Sequence, residues 1–166
     1  MQGNMNERFR RVIRRLYQNA KVGATAGWTV NAAADTFMST MAAGGTNSTL
    51  IIPLTGLEVG DKITGYHLLG QMDSAGNTAT IAAKLAKFTP VAAGSVAADL
   101  AGTTMSTVTA TADKALSDAN AIKLIADGYV VTVEENTTYF AVITATTAAT
   151  TDIELLGLVL HLLRDN

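Results

Sequence analysis

The sequence predicts a mainly β protein, an antiparallel β-sandwich or jelly roll preceded by an N-terminal amphipathic helix and an extended arm. Three observations carry this. From residue 48 onward, short runs alternate between apolar and polar positions and are split by Gly-, Asn- and Asp-containing turns, with no helical period of useful length between them. Five of the six arginines, Arg8, Arg10, Arg11, Arg14 and Arg15, crowd into one short segment, with only Arg164 elsewhere. The last segment, residues 153–163, is apolar on both parities. Residues 1–46 are therefore expected to form the basic helix and arm, and residues 47–166 the β-sandwich body.

The helix is expected over residues 6–18. Phe9, Val12, Ile13, Leu16 and Tyr17 follow the i, i+3, i+4, i+7, i+8 spacing of one helical stripe, and the arginines take the rest of the circumference. Asn6 suits the N-cap and Glu7 the positive helix end, while Gly23 and Gly27 stop the segment. An isolated helix this short is marginal in water, so the stripe calls for a partner surface. Residues 19–46, rich in Ala, Thr and Gly with Trp28, Val30, Phe37 and Met38 as anchors, read as the arm.

In the body, Leu50, Ile51 and Ile52 run into Pro53, which cannot donate to a ladder and marks an edge or a strand end. Residues 57–62 read as a turn, and 63–72 as a strand with a break or bulge near Gly65. Residues 74–77 are expected to close a hairpin. Ala79, Ile81, Ala83 and Leu85 then alternate with Thr78, Thr80 and Lys84, the pattern of a sheet with one buried face. A loop over 90–102 leads to Val108, Ala110 and Ala112 opposite Thr107, Thr109 and Thr111, where β-branched threonine fits a pleated surface. After a turn at 117–120, residues 129–133 and 138–146 are expected to pair through 134–136, and 147–151 form a polar loop. Seven or eight strands result. In the C-terminal segment Leu155, Val159 and Leu163 occupy one parity and Leu156, Leu158, Leu160 and Leu162 the other. It is either a strand with one face in the core and the other against a neighbouring subunit, or a leucine-rich helix; Gly157 and the surrounding strands favour the strand.

Composition narrows the function. At 166 residues the chain suits one domain with an appendage. Hydrophobic residues make up 48% and charged residues 16%, which excludes disorder, but alanine supplies much of the apolar share, so the core is expected to be thin and to gain burial by self-association. Residues 1–21 carry a balance of +5 and the remainder −7, summing to the net −2. Without cysteine there are no disulfides, thiolate metal sites or Cys nucleophile. The front of the chain lacks the apolar core of a signal peptide, so the nascent chain is expected to stay in the cytosol.

Catalytic motifs are missing: there is no HExxH, GxSxG, Walker A or GxGxxG pattern. His67 and His161 each stand alone in a strand-like run, and a metal site needs further ligands, so no cofactor and no metal ligands are expected, with a calcium ion on loop oxygens left open. Carboxylate pairs such as Asp118 with Asp127 or Glu134 with Glu135 read as solvated turn residues, and the chain is expected not to be an enzyme. The arginine cluster admits three readings: nucleic-acid phosphates, an anionic membrane, or an acidic protein surface. The third is favoured, because the body is acidic and shows no second basic patch. The expected partner-binding residues are Arg8, Phe9, Arg11, Val12, Ile13, Arg15 and Leu16 at the front, with Leu156, Leu158 and Leu160 at the back.

Residues 50–85, and above all the run IPLTGLEVGDKITG over residues 52–65, resemble structural proteins of tailed-bacteriophage virions that carry a β-sandwich or jelly-roll body. Residues 139–146, YFAVITAT, together with Asp152 and Ile153, extend the resemblance. It implies a capsid decoration or cement protein, a trimer whose N-terminal arm reaches the major capsid protein, located in the virion after assembly in the host cytoplasm. The alternatives are a head-fibre or tail appendage, or a carbohydrate-binding adhesive module stacking sugars on Trp28, Tyr66, Phe88, Tyr129, Tyr139 or Phe140.

Overall fold

The computed structural model describes residues 10–25, 27–30, 39–74, 76–90, 96–123 and 131–165. Along them run β1 (Arg10–Tyr17), β2 (Lys21–Val22), β3 (Trp28–Val30), β4 (Ser39–Met41), β5 (Ser48–Leu54), β6 (Lys62–Ser74) and β7 (Ala79–Thr89). They are followed by β8 (Val96–Asp99), β9 (Val108–Ala110), β10 (Lys114–Leu116), a 3-10 turn (Asp118–Asn120), β11 (Ile122–Lys123), β12 (Val131–Thr132), β13 (Thr138–Thr147) and β14 (Thr151–Asp165). The protein is mainly β, with all pairings antiparallel in two sheets.

The first sheet has the order β10-β6-β14-β4-β3, with β1 on β14 and β11 and β12 on β6. The second has the order β2-β5-β13-β7-β8, with β9 on β7. Their inner faces share one core. Tyr66, Leu68, Leu158, Leu160 and Leu162 from the first meet Leu50, Ile52, Ile81, Leu85 and Ile143 from the second, and alanines 79, 83, 141 and 145 fill the second sheet's inner face. The Tyr66 hydroxyl reaches across, 2.5 Å from the Thr103 carbonyl and 2.8 Å from that of Ala83.

Two expected hairpins are arches. The 74–77 connection leads from β6 in one sheet to β7 in the other, and the connection after β12 leads from β6's sheet to β13 in the second. Each joined strand is apolar on one face. An arch sets those faces opposite one another across the core, whereas a hairpin would lay them side by side. Residues 96–99, expected to lie in a loop, form β8 on the edge of β7.

The expected helix over 6–18 is absent where it can be seen: Arg10–Tyr17 is the strand β1, paired along its length with β14 from Arg10 opposite Asp165 to Tyr17 opposite Leu158. Residues 6–9 lie outside the described residues, as do Phe37, Met38, Asp127 and Tyr129. A helix of this length meets an unfavourable nucleation step, while the edge of β14 offers alternate residues along the whole segment a backbone partner. The stripe spacing resolves into two strand faces. Ile13 and Tyr17 turn inward to the core, and Val12 and Leu16 turn outward. The segment expected as an arm also enters the sheets, with Trp28 and Met41 buried in the core and the Trp28 indole donating to the Ser48 carbonyl at 3.2 Å.

Residues 153–163 form a strand, and its double parity has a structural cause. Leu155 pairs with Gly70 but Gly157 pairs with Leu69, so Leu156 is an extra residue on β14 and the inward parity switches there. Ile153 and Leu155 face the core before the bulge; Leu158, Leu160 and Leu162 face it afterwards. At Gly157 a Cβ would stand 2.2 Å from the Tyr17 carbonyl oxygen, so β1 approaches β14 only because no side chain is present. A second irregularity leaves Thr64 as the extra residue on β6, between His161 opposite Gly65 and Leu162 opposite Ile63, at the break expected near Gly65. Near the end of β14, Arg164 grips buried Asp61 with two bonds of 2.7 Å and also binds Glu58. Asp61 accepts the Glu58 amide at 2.9 Å. The Arg164 hydrogen bonds hold the Asp61 carboxyl below the usual carboxylate range.

Candidate functional site

The outward face of the first sheet gathers the chain's unusual residues. Cross-strand neighbours point to the same side, so the register places Val12 beside Leu163, Arg14 beside His161, and Leu16 beside Val159, which in turn neighbours His67 on β6. Val12 is 69% exposed and Leu16 45%. Among the described residues the exposed large hydrophobics are these two, Val22 and Val59, so three of the four fall between residues 12 and 22.

The expected partner-binding residues divide. Val12 and Leu16 stand exposed on this face, and Leu156 is half-buried at the bulge. Ile13 packs against the core, Arg15 turns inward to donate to the Gly56 carbonyl, and Leu158 and Leu160 are wholly buried. Arg8 and Phe9 lie outside the described residues; Arg11 is placed by its backbone opposite Arg164. Leu158 and Leu160 are drawn inward by the bulge, which the sequence pattern alone does not reveal.

The aromatic residues considered for sugar stacking serve the core instead in three cases: Trp28, Tyr66 and Tyr139 are buried. Phe88 and Phe140 are half-buried. Of the carboxylates considered for acid-base work, Glu134 pairs with Lys87 at 2.6 Å. Asp73 and Asp113, not singled out by sequence, share a hydrogen bond that raises the Asp73 carboxyl, but both are exposed.

His67 and His161 are not solitary. β6 and β14 lie side by side and bring His67 Nδ1 within 3.1 Å of His161 Nε2, with the rings edge-on. The 3-10 turn after β10 lays Asp118 over them: its Oδ1 stands 3.4 Å from His67 Nδ1 and 3.7 Å from His161 Nε2. Ser117 caps that turn by accepting the Ala119 amide. Both side chains on the strands are sheltered, at 7% and 14% exposed, whereas Asp118 is 54% exposed. Burial lowers the pKa of His67, opposed by the Asp118 charge and reinforced by Arg14. Burial also lowers that of His161, with His67 and Arg14 adding to the effect. Burial thus favours the neutral imidazole, the form that ligates a metal. Asp118 also borders a cavity of about 730 Å³ between Thr104 and Lys123, lined by threonines and Lys114.

The chain matches no protein-family model and no curated protein. Among solved structures it is similar to the enzymatically active domain of tailspike protein 4 of bacteriophage CBA120, at 11% identity and a TM-score of 0.36. The likeness covers 92% of this chain and 19% of that one, so the chain spans about a fifth of that length. A likeness this slight fixes neither fold nor activity.

Proposed function

We propose that the chain is a non-enzymatic structural protein of a tailed-phage virion, a capsid decoration or cement protein that docks on the shell through the outward face of β1 and β14. The observation that carries the reading is the exposure of two apolar side chains, Val12 and Leu16, in the arginine-rich β1. Exposed apolar groups interleaved with guanidinium groups suit a partner with apolar pockets rimmed by carboxylates, and the major capsid protein is that partner here. The resemblance of residues 52–65 to virion proteins supports the same reading. The thin alanine-filled inner face of the second sheet favours self-association, as a trimer.

Deleting the front of the chain is a poor test, because it would strip a strand from β14. Paired substitution of Val12→Ser and Leu16→Ser is cleaner. The variant should fold as the parent does, with stability changed by about 0.5 kcal/mol or less, and should fail to join particles assembled in its presence. Normal incorporation, read by electrophoresis of purified particles, would remove the docking face and the decoration role with it.

A further inference from the structure

His67 Nδ1, His161 Nε2 and Asp118 Oδ1 form a triangle with edges of 3.1, 3.4 and 3.7 Å. A point equidistant from atoms so placed lies about 2.0 Å from each, the length of a zinc–imidazole or zinc–carboxylate bond. Hydrogen bonding alone serves the three atoms badly. One N–H shared between the two ring nitrogens leaves the accepting ring's lone pair committed and no proton for the carboxylate oxygen. An N–H directed at Asp118 instead leaves the other ring's nitrogen lone pair without a donor. A cation at the centre satisfies all three atoms together.

We propose that His67, Asp118 and His161 bind one first-row divalent transition-metal ion of the zinc class, with the remaining coordination open to solvent. The ligand chemistry selects the ion. Imidazole nitrogens suit zinc, cobalt, nickel, copper and iron, whereas magnesium and calcium want several oxygens. Only one carboxylate is supplied, and the charge of Arg14 bears on both rings and that of Lys123 on His161, which disfavours an ion held by charge alone. Two ligands come from adjacent central strands and are fixed by the ladder. The bulge at Thr64, whose hydroxyl lies 3.3 Å from the His161 carbonyl, adjoins His161 as bulges adjoin sites elsewhere. The third ligand rides on the exposed 3-10 turn and leaves the ion a way in from solvent. Bound metal would pin that turn to the first sheet and stabilise the folded chain in proportion to ion concentration. The inference is independent of the virion role, since it rests on no residue of the docking pair Val12 and Leu16.

The test uses the full chain stripped by chelator and titrated with cobalt(II), zinc(II), magnesium and calcium. One cobalt per chain should bind with the visible bands of a low-coordinate ion, zinc should displace it and raise the melting temperature, and magnesium and calcium should do neither. Asp118→Asn and His161→Gln should each weaken binding by at least the roughly 10–100-fold lost when only an outer-sphere partner is removed. Because Asp118 sits on an exposed turn, its variant keeps the fold even if the histidine variant does not. Cobalt that keeps its aqueous spectrum beside the parent chain, or parent-like affinity in folded Asp118→Asn, would overturn the site.

Discussion

β13 and β14 are both long strands at the centre of a sheet, yet they are built differently. β13 pairs with β5 and β7 without a register shift, and its residues alternate between core and surface throughout. β14 is interrupted at Leu156 and again opposite Thr64, changes its inward parity once, and carries β1, β4 and β6 on its flanks. The regular strand makes core; the interrupted one makes core and also presents His161, Val159 and Leu163 to the outside. Where a ladder is broken, side chains are re-aimed, and here the candidate site lies beside the break.

The contrast breaks most visibly at the parity switch. Leu160→Ala should cost about 2–5 kcal/mol, as should Ile143→Ala on β13, whereas Leu156→Ala should cost about 1 kcal/mol or less, all read by urea unfolding. Equal costs at Leu156 and Leu160 would dissolve the switch. Gly157→Ala comes next, at about 1–3 kcal/mol, because the added methyl must displace the Tyr17 carbonyl. Amide exchange should quicken along β1 and stay unchanged in β13. The smallest effect is electrostatic. Asp61 has a depressed folded-state pKa, so its contribution is present above the ordinary carboxylate pKa of 3.8 and is lost as pH falls through the lower folded value. Melting temperatures of the parent and Asp61→Asn should therefore converge in acid and diverge toward neutrality, with the parent more stable. A constant gap would mean that the Arg164 clamp does not set the pKa.

How far the chain could be read follows from the same contrast. β5, β7 and β13 all alternate in burial, but only β7 shows it in the sequence, where Thr80 and Lys84 mark the outer face; the break near Gly65 shows because glycine sits in a strand context. β14 defeats alternation, since one inserted residue changes which parity is buried. Phe9, Val12, Ile13, Leu16 and Tyr17 fit a helical stripe, but a strand divides the same residues between two faces, and only the available edge of β14 decides between them. His67 and His161 are 94 positions apart and carry no local signal of meeting. Pairing of β6 with β14 had to be known first; two histidines within the two longest apolar strands were the one available hint.

Among the described residues the β1 backbone pairs in a ladder only with β14, so its outer backbone edge is left as a template. An antiparallel copy of RRVIRRLY laid along that edge would bring together two strands that each carry four guanidinium groups. The like charges of two such strands oppose self-pairing along this edge, while an acidic strand would meet no such barrier.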